Sequence, residues 1–176
     1  MYMKSFLFKP EMLKAFVEGR KTLTSLLHGL KEINENPGDW YCLLRDKLSG
    51  DYLVKCKITG KQVIVKPRFQ VGDKFYCKEG YWVDSKWKSH LLMPEWAARY
   101  FGEITSVKLD RLQNMTEKDA VDEGVDYSTG HADKKEWTRI NSFIDLWDST
   151  NKVYTWEKNP WVWTYGIKLT AYPVNS

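Results

Sequence analysis

Gly19-Arg20-Lys21-Thr22-Leu23-Thr24 stands where one periodicity gives way to another. Before it, Pro10 suits the first position of a helix, where its missing N–H costs little. Met12, Leu13, Phe16 and Val17 then recur on one helical face. Gly19 follows at the place where helices take a left-handed cap. After it, residues 20–24 lead into an extended segment. Residues 5–8, just upstream of the helix, read as a short strand. The first two dozen residues therefore predict strand, helix, strand.

The same reading extends outward. Residues 34–38 hold Asn, Pro and Gly and predict a turn. Residues 40–44 predict a strand. From Val54 the chain alternates apolar and charged residues up to Ile58, turns at Thr59-Gly60-Lys61 and returns through residues 62–65, a β-hairpin pattern. Alternation puts Lys55 and Lys57 on one side of that strand, opposite Val54, Cys56 and Ile58. Gly72-Asp73 precedes another strand over residues 74–78. Residues 99–112 form a long extended stretch in which Gly102 is placed for a bulge. Thr116-Glu117-Lys118-Asp119 reads as a capping box opening a short helix that ends at Gly124. Residues 126–133 read as a loop. A longer helix is expected from residue 134 to about 150, with Trp137, Ile140, Ile144 and Trp147 in step. The last strand is residues 161–170. Short strands mixed with three helices predict an α+β fold with a curled sheet or barrel, in one domain of 176 residues.

Composition narrows the class. Aromatic residues make up 15% of the chain, nine of them Trp and ten Tyr, which is too rich for disorder. Most of these rings are expected to fill the core. No run of about 18 apolar residues occurs, so no spanning helix is expected. The apolar start of the chain is too short for a signal peptide. Cys42, Cys56 and Cys77 form no close pair, which fits a reducing compartment. With His28, His90 and His131 also isolated, neither a metal site nor a cofactor is expected. Charge is uneven. Residues 45–78 carry nine Lys or Arg against three acids. That segment is either a face for polyanions or a solvated hairpin whose outward positions are lysine.

Six blocks carry a resemblance. They are Gly19 to Thr24, Val71 to Tyr76, Met93 to Arg99 with Glu103 to Val107, Leu112 to Ala120 with Glu123 to Val125, Leu146 to Ser149, and Asn159 to Trp163. In this order, over nearly the whole chain, they resemble the ASCH-domain family, in its phage-encoded branch. The resemblance implies a PUA-like mixed β-barrel with flanking helices. It further implies RNA or modified nucleosides as partners and a cytoplasmic place of action, the host cytoplasm for a phage-encoded chain. Two departures stand out. Branch members continue the first block with one or two arginines, where this chain has Ser25 and Leu26. The basic hairpin near residues 45–68 also reads as an insertion.

One small bacterial member of the resembled family hydrolyses the amide of N4-acetylcytidine, and the positions matching its catalytic Lys, Thr and Glu are Lys21, Thr24 and Glu123. Another member is a metal-dependent ribonuclease. The resemblance thus implies either an amidohydrolase acting on a modified nucleoside, such a ribonuclease, or a non-catalytic nucleic-acid-binding module. The residues alone also allow Lys21 as a surface lysine, Thr24 as an ordinary strand residue and Glu123 as a solvated acid. Glu123 is nonetheless oddly placed, because a carboxylate at a helix C-terminus faces the negative end of the dipole. Arg20, Tyr76, Trp82, Trp96 and Arg99 are expected to bind the substrate, with Trp87, Tyr81, Ser85 and Ser89 close by. Lys55, Lys57, Lys61 and Lys66 are expected to meet nucleic acid. The triad is expected to share one cleft with a Trp or Tyr face.

Overall fold

The computed structural model describes residues 3–126 and 138–171. In chain order it contains β1 (Lys4–Leu7), α1 (Pro10–Val17), β2 (Leu23–Leu26), α2 (Lys31–Glu35), β3 (Trp40–Arg45), β4 (Tyr52–Cys56) and β5 (Gln62–Val65). It continues with β6 (Lys74–Lys78), β7 (Tyr81–Val83), β8 (Lys86–Lys88), β9 (Phe101–Arg111), α3 (Glu117–Asp122), α4 (Arg139–Thr150) and β10 (Trp161–Thr170). The fold is α+β, as the mixed periodicities require.

Five strands form a mixed sheet in the order β1-β6-β9-β10-β2. Only β1 and β6 run parallel; the other pairs are antiparallel. A separate antiparallel meander, β3-β4-β5, packs against one face of this sheet. Tyr52, Val54 and Val65 from the meander meet Phe6, Phe69, Phe75, Trp163 and Tyr165 in one buried cluster. The basic hairpin is therefore a wall of the core. The far face of the sheet carries a second cluster, where α3 and α4 bring Ala120, Phe143 and Trp147 onto Leu112 and Val162.

The expected barrel does not close: among the described residues no ladder joins the meander to the five-stranded sheet. β5 stops at Val65, and Pro67 has no N–H with which to continue a ladder. The next amide, Arg68 N–H, donates instead to the Tyr165 hydroxyl at 3.0 Å.

Other expectations are corrected locally. Asn34 is not in a turn but is buried in α2, where its side chain donates to the Trp161 carbonyl and accepts from the Trp161 N–H. The bulge is not at Gly102 but at Thr105, since Gly166 pairs with Ser106 and Ile167 with Ile104. Gly102 answers to packing: a Cβ there would lie 2.2 Å from Phe75 Cζ and 2.8 Å from Phe16 Cζ. Ile58 is 74% exposed, because β4 ends at Cys56 and the Gly60 turn begins there. The capping box at Thr116 and Asp119 is present on both sides. α4 starts at Arg139 with Thr138 as its N-cap; the expected start over residues 134–137, Trp137 included, and the loop residues 127–133 lie outside the described residues.

Candidate functional site

α1 ends in a complete left-handed cap. Gly19 has φ 76°, its N–H donates to the Phe16 carbonyl at 3.0 Å, and Arg20 N–H donates to the Ala15 carbonyl at 2.8 Å. α3 ends at a second glycine, Gly124, with φ 79°. The two exits cross closely, since a Cβ on Gly124 would sit 2.8 Å from Lys21 Cβ and 3.0 Å from Ala15 Cβ. Lys21 and Glu123 form an isolated antiparallel bridge at this crossing, and Thr22 N–H donates to the Asp122 carbonyl at 2.7 Å. Two helix exits, about a hundred residues apart in sequence, are thereby clamped together.

Within the clamp Lys21 is 4% exposed and Glu123 is 6% exposed. The Lys21 ammonium donates to Glu123 Oε2 at 2.5 Å, to the Glu123 carbonyl at 2.9 Å and to the Leu23 carbonyl at 2.8 Å. An ammonium has three donors, so all are engaged and none is left for Thr24. The reading of Lys21 as a surface lysine is thus corrected, and so is that of Glu123 as a solvated acid. The dipole oddity is also resolved, because the Lys21 cation lies at the helix C-terminus and offsets both the carboxylate and the last carbonyl. Thr24 is buried on β2, opposite Tyr165 and on the core side of the sheet. Glu123 Oε1 is buried with no hydrogen-bond partner among the described residues.

The large cleft lies elsewhere. It measures about 1260 Å³ and opens where β1, α1 and β6 meet the β7–β8 hairpin. Phe8, Lys9 and Lys14 line one side. Trp82 and Trp87 line the hairpin side, and Trp96, Arg99 and Tyr100 the segment entering β9. Trp82, Trp87 and Trp96 are 68%, 58% and 71% exposed. Such exposure of the largest apolar side chain, three times on one cleft, is rarely left without a partner. By contrast Trp40, Trp147, Trp161 and Trp163 are buried, as expected of core-filling rings. Lys21, Thr24 and Glu123 do not line this cleft, although the Lys21 ammonium and the Glu123 carboxylate do meet each other. Their nearest link to it is Phe8, whose ring centroid is 5.7 Å from the Lys21 ammonium.

The remaining candidates divide. Trp82, Trp96 and Arg99 line the cleft as expected. Arg99 is already committed, donating from Nε to Glu79 Oε1 at 2.8 Å and from Nη2 to Oε2 at 2.5 Å. Its fork is therefore taken by Glu79. Tyr76 is not in the cleft; it is 8% exposed and its hydroxyl donates to the Met93 carbonyl. Arg20 is also outside, paired on the surface with Glu18 and Asp126. Of the hairpin lysines, Lys61 pairs with Glu32 at 2.6 Å and Lys66 with Asp51 at 3.3 Å, while Lys57 donates to the Gly38 carbonyl. Lys55 and Lys57 carry the charge that remains there. The sequence reading missed Gly80, Lys9, Lys14 and Tyr100. The hairpin had a signal, since apolar residues at Trp82 and Trp87 flank the two-residue turn Asp84-Ser85, both at positive φ.

No protein-family profile and no curated protein matches this chain. Among solved structures, the chain is similar to the ASCH domain from Lactobacillus crispatus JV V101, at 12% identity and a TM-score of 0.43. The match covers 96% of this chain and 79% of that one. Among the described residues no helix is long and apolar enough to cross a membrane, and no group of three or more His, Cys, Asp or Glu is placed to hold a metal ion.

Proposed function

We propose that this chain is a non-catalytic ASCH-type, PUA-like module that binds RNA or other single-stranded nucleic acid in the tryptophan-lined cleft. The observation that carries the reading is the set of three exposed tryptophans lining one cleft, with Lys9, Lys14 and Lys78 on the same cleft. Bases stack on such rings whatever their sequence, and cations follow the backbone. The two carboxylates on the cleft are already paired, Glu18 with Arg20 at 2.7 Å and with Lys14 at 3.8 Å, and Glu79 with Arg99. The net field therefore favours an anion. The six sequence blocks supply the family part of the reading.

Titration of a labelled oligouridine by fluorescence anisotropy tests it. Trp82→Ala and Trp96→Ala are each expected to weaken binding by about 5- to 150-fold, the span of about 1–3 kcal/mol per stacked base. If Lys9, Lys14 and Lys78 meet about three phosphates, log K should fall against log salt with a slope of about −2. Lys55→Glu with Lys57→Glu is expected to cost less than either tryptophan. Equal binding by wild type and both tryptophan variants would remove the cleft from the interface.

A second reading rests on Glu123 Oε1, a buried carboxylate acceptor with no donor among the described residues, beside the Lys21 ammonium. Buried polar atoms are seldom left unpaired, and this oxygen is where a water or a base amino group would donate. On that reading Thr24, Lys21 and Glu123 hydrolyse an N4-acylcytidine. Purified protein should then release the acyl group, and Glu123→Gln should abolish the release. No release by the wild type ends this reading and leaves the binding module standing.

A further inference from the structure

The β7–β8 hairpin does more than expose two rings. A Cβ on Gly80 would fall 1.9 Å from Trp87 Cζ2 and 2.1 Å from Cη2, so the edge of that indole rests on bare backbone. Its cross-strand partner is Trp82, with ring centroids 5.7 Å apart and planes at 67°. Asp84 and Ser85, at φ 48° and 60°, close the hairpin in the two-residue form whose twist matches its strands. Trp87 is thus held on two sides while more than half of it stays open to the cleft. A ring already fixed in place loses little freedom when a flat ligand covers it.

Two cations stand at the same end of the sheet. Leu7 and Lys78 are register partners in the parallel pair β1–β6, and Lys9 follows two residues after Leu7. Both lysines line the cleft. Lys78 donates to the Leu91 carbonyl, and neither ammonium has a carboxylate partner among the described residues. The cleft exceeds the roughly 300–1,000 Å³ that suits one small ligand, which leaves room for neighbouring units of a longer strand.

We propose that Gly80, Trp87, Lys9 and Lys78 form a nucleotide subsite, in which one base lies flat on Trp87 and its phosphate is held by the two lysines. This rests on the reading of the cleft as a nucleic-acid site and names the unit it grips. A cationic ligand is disfavoured, since Glu18 and Glu79 are both neutralised by arginines. Gly80 acts as a positioning residue: it touches no ligand and sets the plane of the ring.

Calorimetric titration of the full chain with adenosine 5′-monophosphate, adenosine and inorganic phosphate tests the proposal, alongside the oligouridine measurement. Wild type should bind the monophosphate about tenfold more tightly than adenosine, and Lys9→Ala with Lys78→Ala should erase that preference. Trp87→Ala should weaken monophosphate and adenosine alike by about tenfold, with most of the loss restored in Trp87→Phe. Gly80→Ala should weaken both without changing their ratio. A Trp87→Ala variant that binds the monophosphate like wild type, or a double lysine variant that keeps the preference, overturns the subsite. So does wild type that binds oligouridine but not the monophosphate, and there the module reading survives. Wild type that binds neither overturns both.

Discussion

Glu123→Leu is expected to lower the free energy of unfolding by about 3–5 kcal/mol, because it leaves the Lys21 ammonium buried without a countercharge. Lys21→Met should cost a similar amount for the mirror reason. Each ion alone has lost its hydration and keeps at most partial compensation: Lys21 would retain the Leu23 and Glu123 carbonyls, and the Glu123 carboxylate would keep no hydrogen-bond donor among the described residues. The double variant, Lys21→Met with Glu123→Leu, should cost far less than the sum, since no uncompensated charge remains. Urea unfolding of the four proteins measures the coupling. Single variants that each cost under about 1 kcal/mol would mean that water reaches the pair and that it is not a clamp. The Glu123→Gln variant separates the two functional readings. The pair does not line the tryptophan cleft, so Glu123→Gln should leave oligouridine binding intact.

Cys77 should make the protein sensitive to alkali. Burial, with Glu79 adding to it, pushes its thiol up to about 12. The unfolded thiol ionises near its ordinary pKa of about 8.5–9. Because the folded pKa is raised, the stabilisation is full below about pH 9 and is lost as pH rises toward 12. At about 1.4 kcal/mol per unit, the whole effect approaches about 4 kcal/mol above that range. Comparing wild type with Cys77→Ala isolates it from the other groups that titrate in alkali. The stability of wild type relative to the variant should fall by about 2 kcal/mol between pH 9 and pH 10.5. A gap that stays constant over that interval would show that Cys77 does not ionise differently on unfolding.

Where a signal was local, it was legible. The Pro10 start and Gly19 stop of α1, the Thr116 capping box and the Gly60 turn each depend on a few neighbouring residues. Long-range terms were read poorly. Asn34 has a turn composition, yet two hydrogen bonds to Trp161 hold it inside α2. Gly102 reads as a bulge glycine, yet Phe16 and Phe75 explain it. Tyr76 and Trp82 are both aromatic residues at the centre of short strand-like runs. Only their places on the sheet and on the hairpin make one a core ring and the other a cleft wall. Hairpin lysines looked alike in sequence, and Glu32 and Asp51 then took Lys61 and Lys66 out of play.

By itself the sequence determined the α+β class, the positions of α1, α3 and most strands, and the set of side chains from which any site must be drawn. Periodicity and caps are properties of a few adjacent residues, so no partner from elsewhere was needed to read them. Tertiary structure decided what those side chains do. It brought Lys21 to Glu123 and closed their charges on each other where two helix exits cross. It left Trp82, Trp87 and Trp96 uncovered around one cleft. Burial and pairing are set by what the folded chain places opposite each group, and that is not encoded in any short stretch of it.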